Sequence, residues 1–242
     1  MPAQRKTHIA RAHPDRVEVR GRDLAGDLMG RLTFTEYFHL LLTGREPSDD
    51  ERFFLDLLLV AIAEHGLMPS NVAARLTLAA DPDSLQGAVA AGILGAGSVV
   101  LGASEACARL LERGGEPRVV ARDIHEAGGR VPGFGHPVHT PVDPRAERIL
   151  ELADGRGFSG ANVAFARDLR DAVAEEWGRP LVMNVAMAIA AVWLDLGYPV
   201  STVKAVPILA RTAGLLAHLA EEREAPLGFA LAQAAEAAVE YE

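Results

Sequence analysis

The chain has 242 residues, 49% hydrophobic and 5% aromatic, and a formal net charge of −9. That balance suits a globular core built mainly of helices, since Ala and Leu dominate and aromatics are few. It excludes a general nucleic-acid surface, so an anionic ligand would need a local cluster of Arg and His.

The single Cys107 excludes an internal disulfide and a cysteine-rich metal site. No resident metal is expected. The hydropathy pattern predicts no membrane span. The first eight residues, Met1 to His8, lack an apolar h-region and read as a frayed tail, which predicts a cytoplasmic protein.

Residues 1–30 are polar, with Val17-Glu-Val19 as one short extended piece. Thr33-Phe-Thr-Glu36 is a capping box opening a helix to Thr43, closed by Gly44. Ser48-Asp-Asp-Glu51 is a second box, opening an apolar, largely buried helix from Arg52 to about Glu64. His65-Gly66 follows as a helix C-cap, with His65 meeting the dipole. Further helices are expected over 71–80, 84–95, 99–112 and 117–127. The helix at 84–95 is made of small residues and suits an internal or dimer-interface position.

Residues 131–145 form the most unusual stretch, Val-Pro-Gly-Phe-Gly-His-Pro-Val-His-Thr-Pro-Val-Asp-Pro-Arg. Its glycines free the backbone and its prolines stiffen it, so it is neither helix nor strand. Asp143-Pro144 opens a helix to about Ala153. The residues place His136 on a rigid loop near a helix N-terminus, with Arg145 in the first turn, a setting suited to a carboxylate or phosphate. A merely solvated loop histidine fits them equally well.

Beyond this loop, helices are predicted over 161–177, 181–196 and 201–222, the last kinked by Pro207. The more polar composition of 115–200 suggests a smaller domain inserted into an apolar one made of 1–114 and 201–242. Arg211 lies among apolar neighbours and needs an anion if buried. His218 reads as a polar position on a packed helix.

Four segments resemble the citrate synthase family. Pro132 to Arg145 is similar to its PGxGHxV…DPR loop, and Glu64 to Arg75 to its DHxxxxSTFAAR segment. Gly102-Ala-Ser-Glu-Ala106 is similar to GAxEA, and Leu209 to His218 to SRxxGxxAH. The resemblance spans about residues 30–225 and implies an all-α, two-domain, homodimeric protein whose small domain closes over its substrate.

The family assignment also implies roles. His136 would be the active-site histidine, hydrogen-bonding the substrate hydroxyl and taking its proton. His65, Arg145 and Arg211 would hold carboxylates. Val131, Pro132, Gly133, Phe134 and Gly135 would meet coenzyme A through backbone groups. The substrate would be a CoA thioester with a di- or tricarboxylate partner, with no tightly bound cofactor, nucleic acid or membrane involved.

Two positions depart from the pattern. Synthases carry a histidine just before GAxEA, where this chain has Val100 or Leu101, depending on a one-residue alignment choice. The lyase branch has Asp-Arg-Phe nearby, and this chain has Ser98-Val99-Val100. The family's NVD becomes Asn184-Val185-Ala186, so the carboxyl that moves a proton at the acetyl carbon is gone, and Asp195 lies more than two turns further on. No arginine follows Arg223 to serve a neighbouring subunit's site.

The chain length resembles that of the short lyase-type members. The leading expectation is therefore retro-Claisen cleavage of citryl-CoA, or a related 3-hydroxy-acyl-CoA, to acetyl-CoA and an oxo acid. Citrate synthase-type condensation and a non-catalytic CoA- or tricarboxylate-binding relative are the alternatives.

Overall fold

The computed structural model describes residues 6–241, so most of the N-terminal tail at 1–5 lies outside the described residues. The chain divides into two compact units, Met1–Leu57 and Leu58–Glu242.

The first unit begins with a three-stranded antiparallel meander of β1 (Ala10–Ala12), β2 (Val17–Val19) and β3 (Arg22–Asp23). Its register pairs Arg11 with Glu18 and Val19 with Arg22. The sequence pattern alone predicts only β2, and pairing with it holds β1 and β3 extended. The β2–β3 turn has positive φ at Arg20 and Gly21, the two-residue geometry that matches strand twist. Helix α1 (Phe34–Thr43) has the expected capping box between Thr33 and Glu36 and ends on left-handed Gly44. Val19, Leu28 and Leu40 form this unit's core.

Helix α2 (Asp49–Ala63) is capped reciprocally by Ser48 and Glu51. It buries Phe54, Leu55 and Leu58 but leaves Val60 78% exposed, so only one face is buried. In the second unit, α3 (Pro69–Ala80), α4 (Leu85–Ala96) and α11 (Ala205–Glu224) share a cluster of Ala74, Leu78, Ala88, Leu215 and Leu219.

The membrane expectation rested on charge spacing, and there it was mistaken: residues 84–104 carry no charged side chain. By length and composition, Leu85–Arg113 and Val200–Glu224 are each long and apolar enough to cross a membrane. The first changes winding at a π-type turn, Gly97–Leu101, and the second carries buried Arg211.

The remaining helices are α5 (Ala103–Arg113), α6 (Pro117–Glu126), α7 (Pro144–Arg156), α8 (Ala161–Glu176), α9 (Val185–Asp195), α10 (Val200–Val203) and α12 (Gly228–Ala237). Buried α9 is the hub, packing against α5, α7 and α8. Its start corrects the expected 181–196 helix, because residues up to Asn184 are extended and Asn184 itself is the N-cap. The expected kink at Pro207 is a break at Lys204 instead. Pro207 then sits in the first turn of α11, where its missing N–H costs nothing.

Candidate active site

The central loop is fastened to the start of α9. Gly135 N–H donates to Val182 O at 2.7 Å, and Asn184 N–H to Gly133 O at 2.8 Å. The Asn184 side chain donates to Gly135 O at 3.0 Å while accepting from Ala186 N–H. Gly133 has φ +81, and a Cβ there would lie 2.7 Å from Met187 Cβ and 2.8 Å from Cys107 Sγ. A glycine is thus required for both conformation and approach.

Asp143, fully buried, ties the far end of the loop down. Its carboxylate accepts from Arg145 Nε at 3.0 Å, Arg145 Nη2 at 2.9 Å and Val185 N–H at 3.0 Å. Burial raises its pKa, but the Arg145 guanidinium and these N–H groups outweigh that and hold it below the usual carboxylate value.

His136 has a fixed tautomer. Its Nδ1 accepts from the backbone N–H groups of Val138 at 3.0 Å and His139 at 2.8 Å. The neutral ring therefore carries its hydrogen on Nε2, which lies 3.4 Å from Arg145 Nη2. Two donors lie side by side, arranged to share an acceptor oxygen. This narrows the expected role: His136 donates a hydrogen bond but has no vacant nitrogen to take a hydroxyl proton. Burial first, then the His139 and Arg145 charges, hold its pKa below the usual imidazole value.

His65 lies beside it, with ring centroids 5.3 Å apart and edge-on. His65 Nε2 faces His139 Nε2 at 3.2 Å, and His139 stacks on His136 at 4.3 Å. The backbone under His65 is held by Glu64, whose Oε1 accepts from His65 N–H at 2.8 Å and Gly66 N–H at 2.7 Å. Asn71 Nδ2 donates to Glu64 Oε1 at 3.1 Å, and His218 Nε2 to Glu64 Oε2 at 3.0 Å. His218 in turn accepts at Nδ1 from Arg75, and Arg75 is paired with Glu221 and Glu222. So His218 does sit on a packed helix, and it also supports the histidine that faces the cavity. Sequence reading did not assign Glu64, Asn71 or Asp143 to the site; only the family segments in which they stand pointed to them.

A cavity of about 720 Å³ opens over these groups. Its lining includes four arginines, Arg130, Arg145, Arg179 and Arg211, together with His65 and His136, and no carboxylate. Arg211 is 1% exposed; its Nη1 donates to Asn71 Oδ1 and its Nη2 to Ile62 O, both at 3.3 Å. Its Nε is buried without a partner, and Glu64 is the nearest counter-charge at 4.0 Å. Burial accordingly lowers its pKa.

From the loop, Val131, Phe134 and Gly135 line the cavity, while Pro132 and Gly133 do not. Ala186 lines it too, where the family pattern has its carboxyl. Val99 and Val100 line it and Leu101 is buried. Asp195 is no substitute, because it caps α8 through the N–H groups of Gly160, Asn162 and Val163, each at 2.9 Å.

The ring nitrogens of His65, His136 and His139 lie within 4.8 Å of one another, a spacing at which three imidazoles hold a metal ion. The donor set does not fit. A neutral imidazole bound through Nε2 needs its hydrogen on Nδ1, and in His136 that nitrogen already accepts two N–H groups. The Arg145 guanidinium beside the ring also repels a cation.

Loop, cavity and cationic lining together define a helical protein built around a pocket lined by arginine and histidine. The chain belongs to the citrate synthase family: the family model "Citrate synthase, C-terminal domain" matches residues 3–227. Citryl-CoA lyase from Hydrogenobacter thermophilus is 32% identical with TM-score 0.83, covering 90% of this chain and 86% of that one. Citrate synthase from Haloferax volcanii is 27% identical over 194 residues, 77% of this chain and 51% of that protein. ATP citrate lyase from Methanothrix soehngenii, solved with citrate and coenzyme A, is 20% identical with TM-score 0.81. It covers 93% of this chain and 39% of that one, a likeness of fold alone. The chain spans about half the length of the curated relatives it matches. The expected all-α, citrate synthase-like fold is therefore correct.

Proposed function

We propose that this protein cleaves citryl-CoA, or a related 3-hydroxy-acyl-CoA, by a retro-Claisen reaction to acetyl-CoA and an oxo acid. The observation that carries the reading is the cavity itself: four arginines and no acid in its lining, on a chain of net charge −9. A buried guanidinium with an unbonded Nε is costly unless an oxyanion reaches it. Arg211 and Arg145 would hold the substrate carboxylates and orient it. The Nε2–H of His136, with Arg145 beside it, would stabilise the oxygen as the alkoxide becomes a carbonyl. Arg130 and Arg179, which have no side-chain partner among the described residues, would meet the phosphates of coenzyme A. The likeness to a citryl-CoA lyase across most of both chains supports cleavage. Val100 in the cavity weighs against condensation, because the lyase branch also lacks the histidine of that place, whereas Ala186 bears on both directions: the carbon base of condensation is the carbon acid of cleavage. A homodimer, and a small domain at 115–200 that closes over the substrate, belong to this reading as proposals.

The test is incubation with citryl-CoA, following oxaloacetate by coupled NADH oxidation. We expect turnover that falls about 10²–10³-fold in His136→Ala, the loss of one donor to the reacting oxygen. Unchanged turnover in that variant would sink the assignment. Thiol release from acetyl-CoA plus oxaloacetate, without citryl-CoA cleavage, would reassign the protein as a synthase. Thermal stabilisation by citrate or CoA with no turnover would make it a binding protein.

A further inference from the structure

We propose that His65 and His139 form a two-imidazole relay that takes the substrate's hydroxyl proton and returns it to the departing enolate carbon. The inference rests on the cleavage reading above, and three observations lead to it. His136 cannot be the base, because both backbone N–H groups at its Nδ1 force the hydrogen onto Nε2. The family's carboxyl position is Ala186, and no acid lines the cavity. The cavity does contain His65, whose Nε2 meets His139 Nε2 at 3.2 Å and whose Nδ1 has no partner among the described residues.

Two facing Nε2 atoms at that distance share one hydrogen: one ring donates and the other accepts. With the hydrogen on His65 Nε2, its Nδ1 is a free acceptor. The hydroxyl O–H bond then breaks with its proton passing to His65 Nδ1, while the Nε2 proton of His65 moves to His139 Nε2. The oxygen's electron pair becomes the new C=O bond as the C–C bond breaks. The electrons of that C–C bond pass into the acetyl-CoA enolate. Reversing the relay delivers one proton from His65 Nδ1 to the enolate carbon and restores both neutral rings. One proton leaves oxygen and one arrives at carbon, so the cleavage balances without another acid.

The charged and titratable groups facing His65 are Arg145, His139, Asp143 and Arg211, with the His136 ring edge-on. Burial first, then the Arg145 and His139 charges, hold the pKa of His65 below the usual imidazole value, outweighing Asp143. Such a ring is neutral, and so basic, at pH 7. His139 acts through His65 and is a positioning and relay residue; its stacking on His136 also sets the spacing of both rings.

The experiment is His139→Gln, which keeps a hydrogen-bonding side chain but cannot titrate. We expect kcat for citryl-CoA to fall about 10²-fold or more with KM within about threefold, and the acid limb of the kcat profile to move. Added imidazole should restore part of the rate in His139→Gly. Wild-type kcat in His139→Gln, or a loss confined to KM, overturns the relay.

A second readout needs no turnover. Ring-nitrogen NMR of the histidine-labelled protein should show complementary tautomers for His65 and His139, one ring donating at Nε2 and the other accepting. The same tautomer on both rings overturns the pair. Absence of citryl-CoA cleavage by the wild-type protein overturns the reaction assigned above and leaves the pair to be decided by the spectra.

Discussion

Two fully buried arginines, both 1% exposed, differ in how far the protein itself satisfies them. Arg75 has a close, buried partner in Glu222 at 2.8 Å, donates to a second carboxylate, Glu221, and donates to His218. Arg211 has two long hydrogen bonds, one unbonded Nε and no carboxylate closer than 4.0 Å. Replacing Arg75 by Met leaves buried Glu222 uncompensated, which costs about 3–5 kcal/mol and should lower Tm by about 10 °C. Replacing Arg211 by Met removes a charge that the protein does not satisfy by itself. That variant should melt no lower than wild type and yet lose all stabilisation by citrate. A scan of both variants with and without citrate checks the contrast; equal losses of Tm would contradict it. Arg145, Arg211, His65 and His136 stood out in the sequence because each lies in a family segment that keeps its order along the chain. The tautomer of His136 and the second imidazole at His139 did not stand out, because both depend on how the backbone of 138–139 folds back over a ring.

At the level of elements, two glycines fix how the site is assembled. A Cβ on Gly214 would lie 2.3 Å from Ala63 O and 2.9 Å from Glu64 Oε2, so α11 can approach the turn carrying His65 only as glycine. Gly214→Ala should therefore displace Glu64 and Arg211 together, costing roughly 1–3 kcal/mol by overpacking and lowering citrate affinity as well. Native Tm and affinity in that variant would show that the helix can shift freely. Gly133→Ala should act on the other side of the cavity by pressing on Met187 and Cys107. Burial pushes the Cys107 thiol up to about 12, so it should resist thiol reagents in the native protein. Faster labelling of Cys107 in Gly133→Ala would report the loosened loop, and an unchanged rate would count against this packing account. Both capping boxes and most helix spans were legible from local chemistry, because caps are local signals. The start of α9 was not, since residues 181–184 are held extended by pairing with a loop about fifty residues earlier in the chain, a non-local contact.

Across the whole molecule, the titrating groups at the site and in the core act in one direction. Burial holds His65 and His136 below the ordinary imidazole value of 6.5. In the unfolded chain they protonate first, so the native state binds fewer protons between that value and their folded values, and stability falls as pH drops through this window. Below their folded values both states are protonated and the loss stops growing. The carboxylates of Asp143, Glu64 and Glu222 lie below their ordinary values because hydrogen bonds from Arg145, His218 and Arg75 outweigh burial. Glu51, hydrogen-bonded by Arg45, falls to about 2. Their contributions are fully present above the unfolded carboxylate values of 3.8 and 4.5 and are lost as pH falls through the folded ones. Tm should therefore be flat above about pH 7, decline in a first step below 6.5, and decline again below about 4.5. The double variant His65→Gln, His136→Gln should shrink the first step, leaving the part carried by buried His39, whose pKa burial also lowers, and should leave the second in place. A first step of undiminished size in that variant would mean that other groups carry it. The same window bears on the proposed relay: acid protonates the His65 ring that would accept the hydroxyl proton, so kcat should fall over the pH range in which the first step of Tm appears.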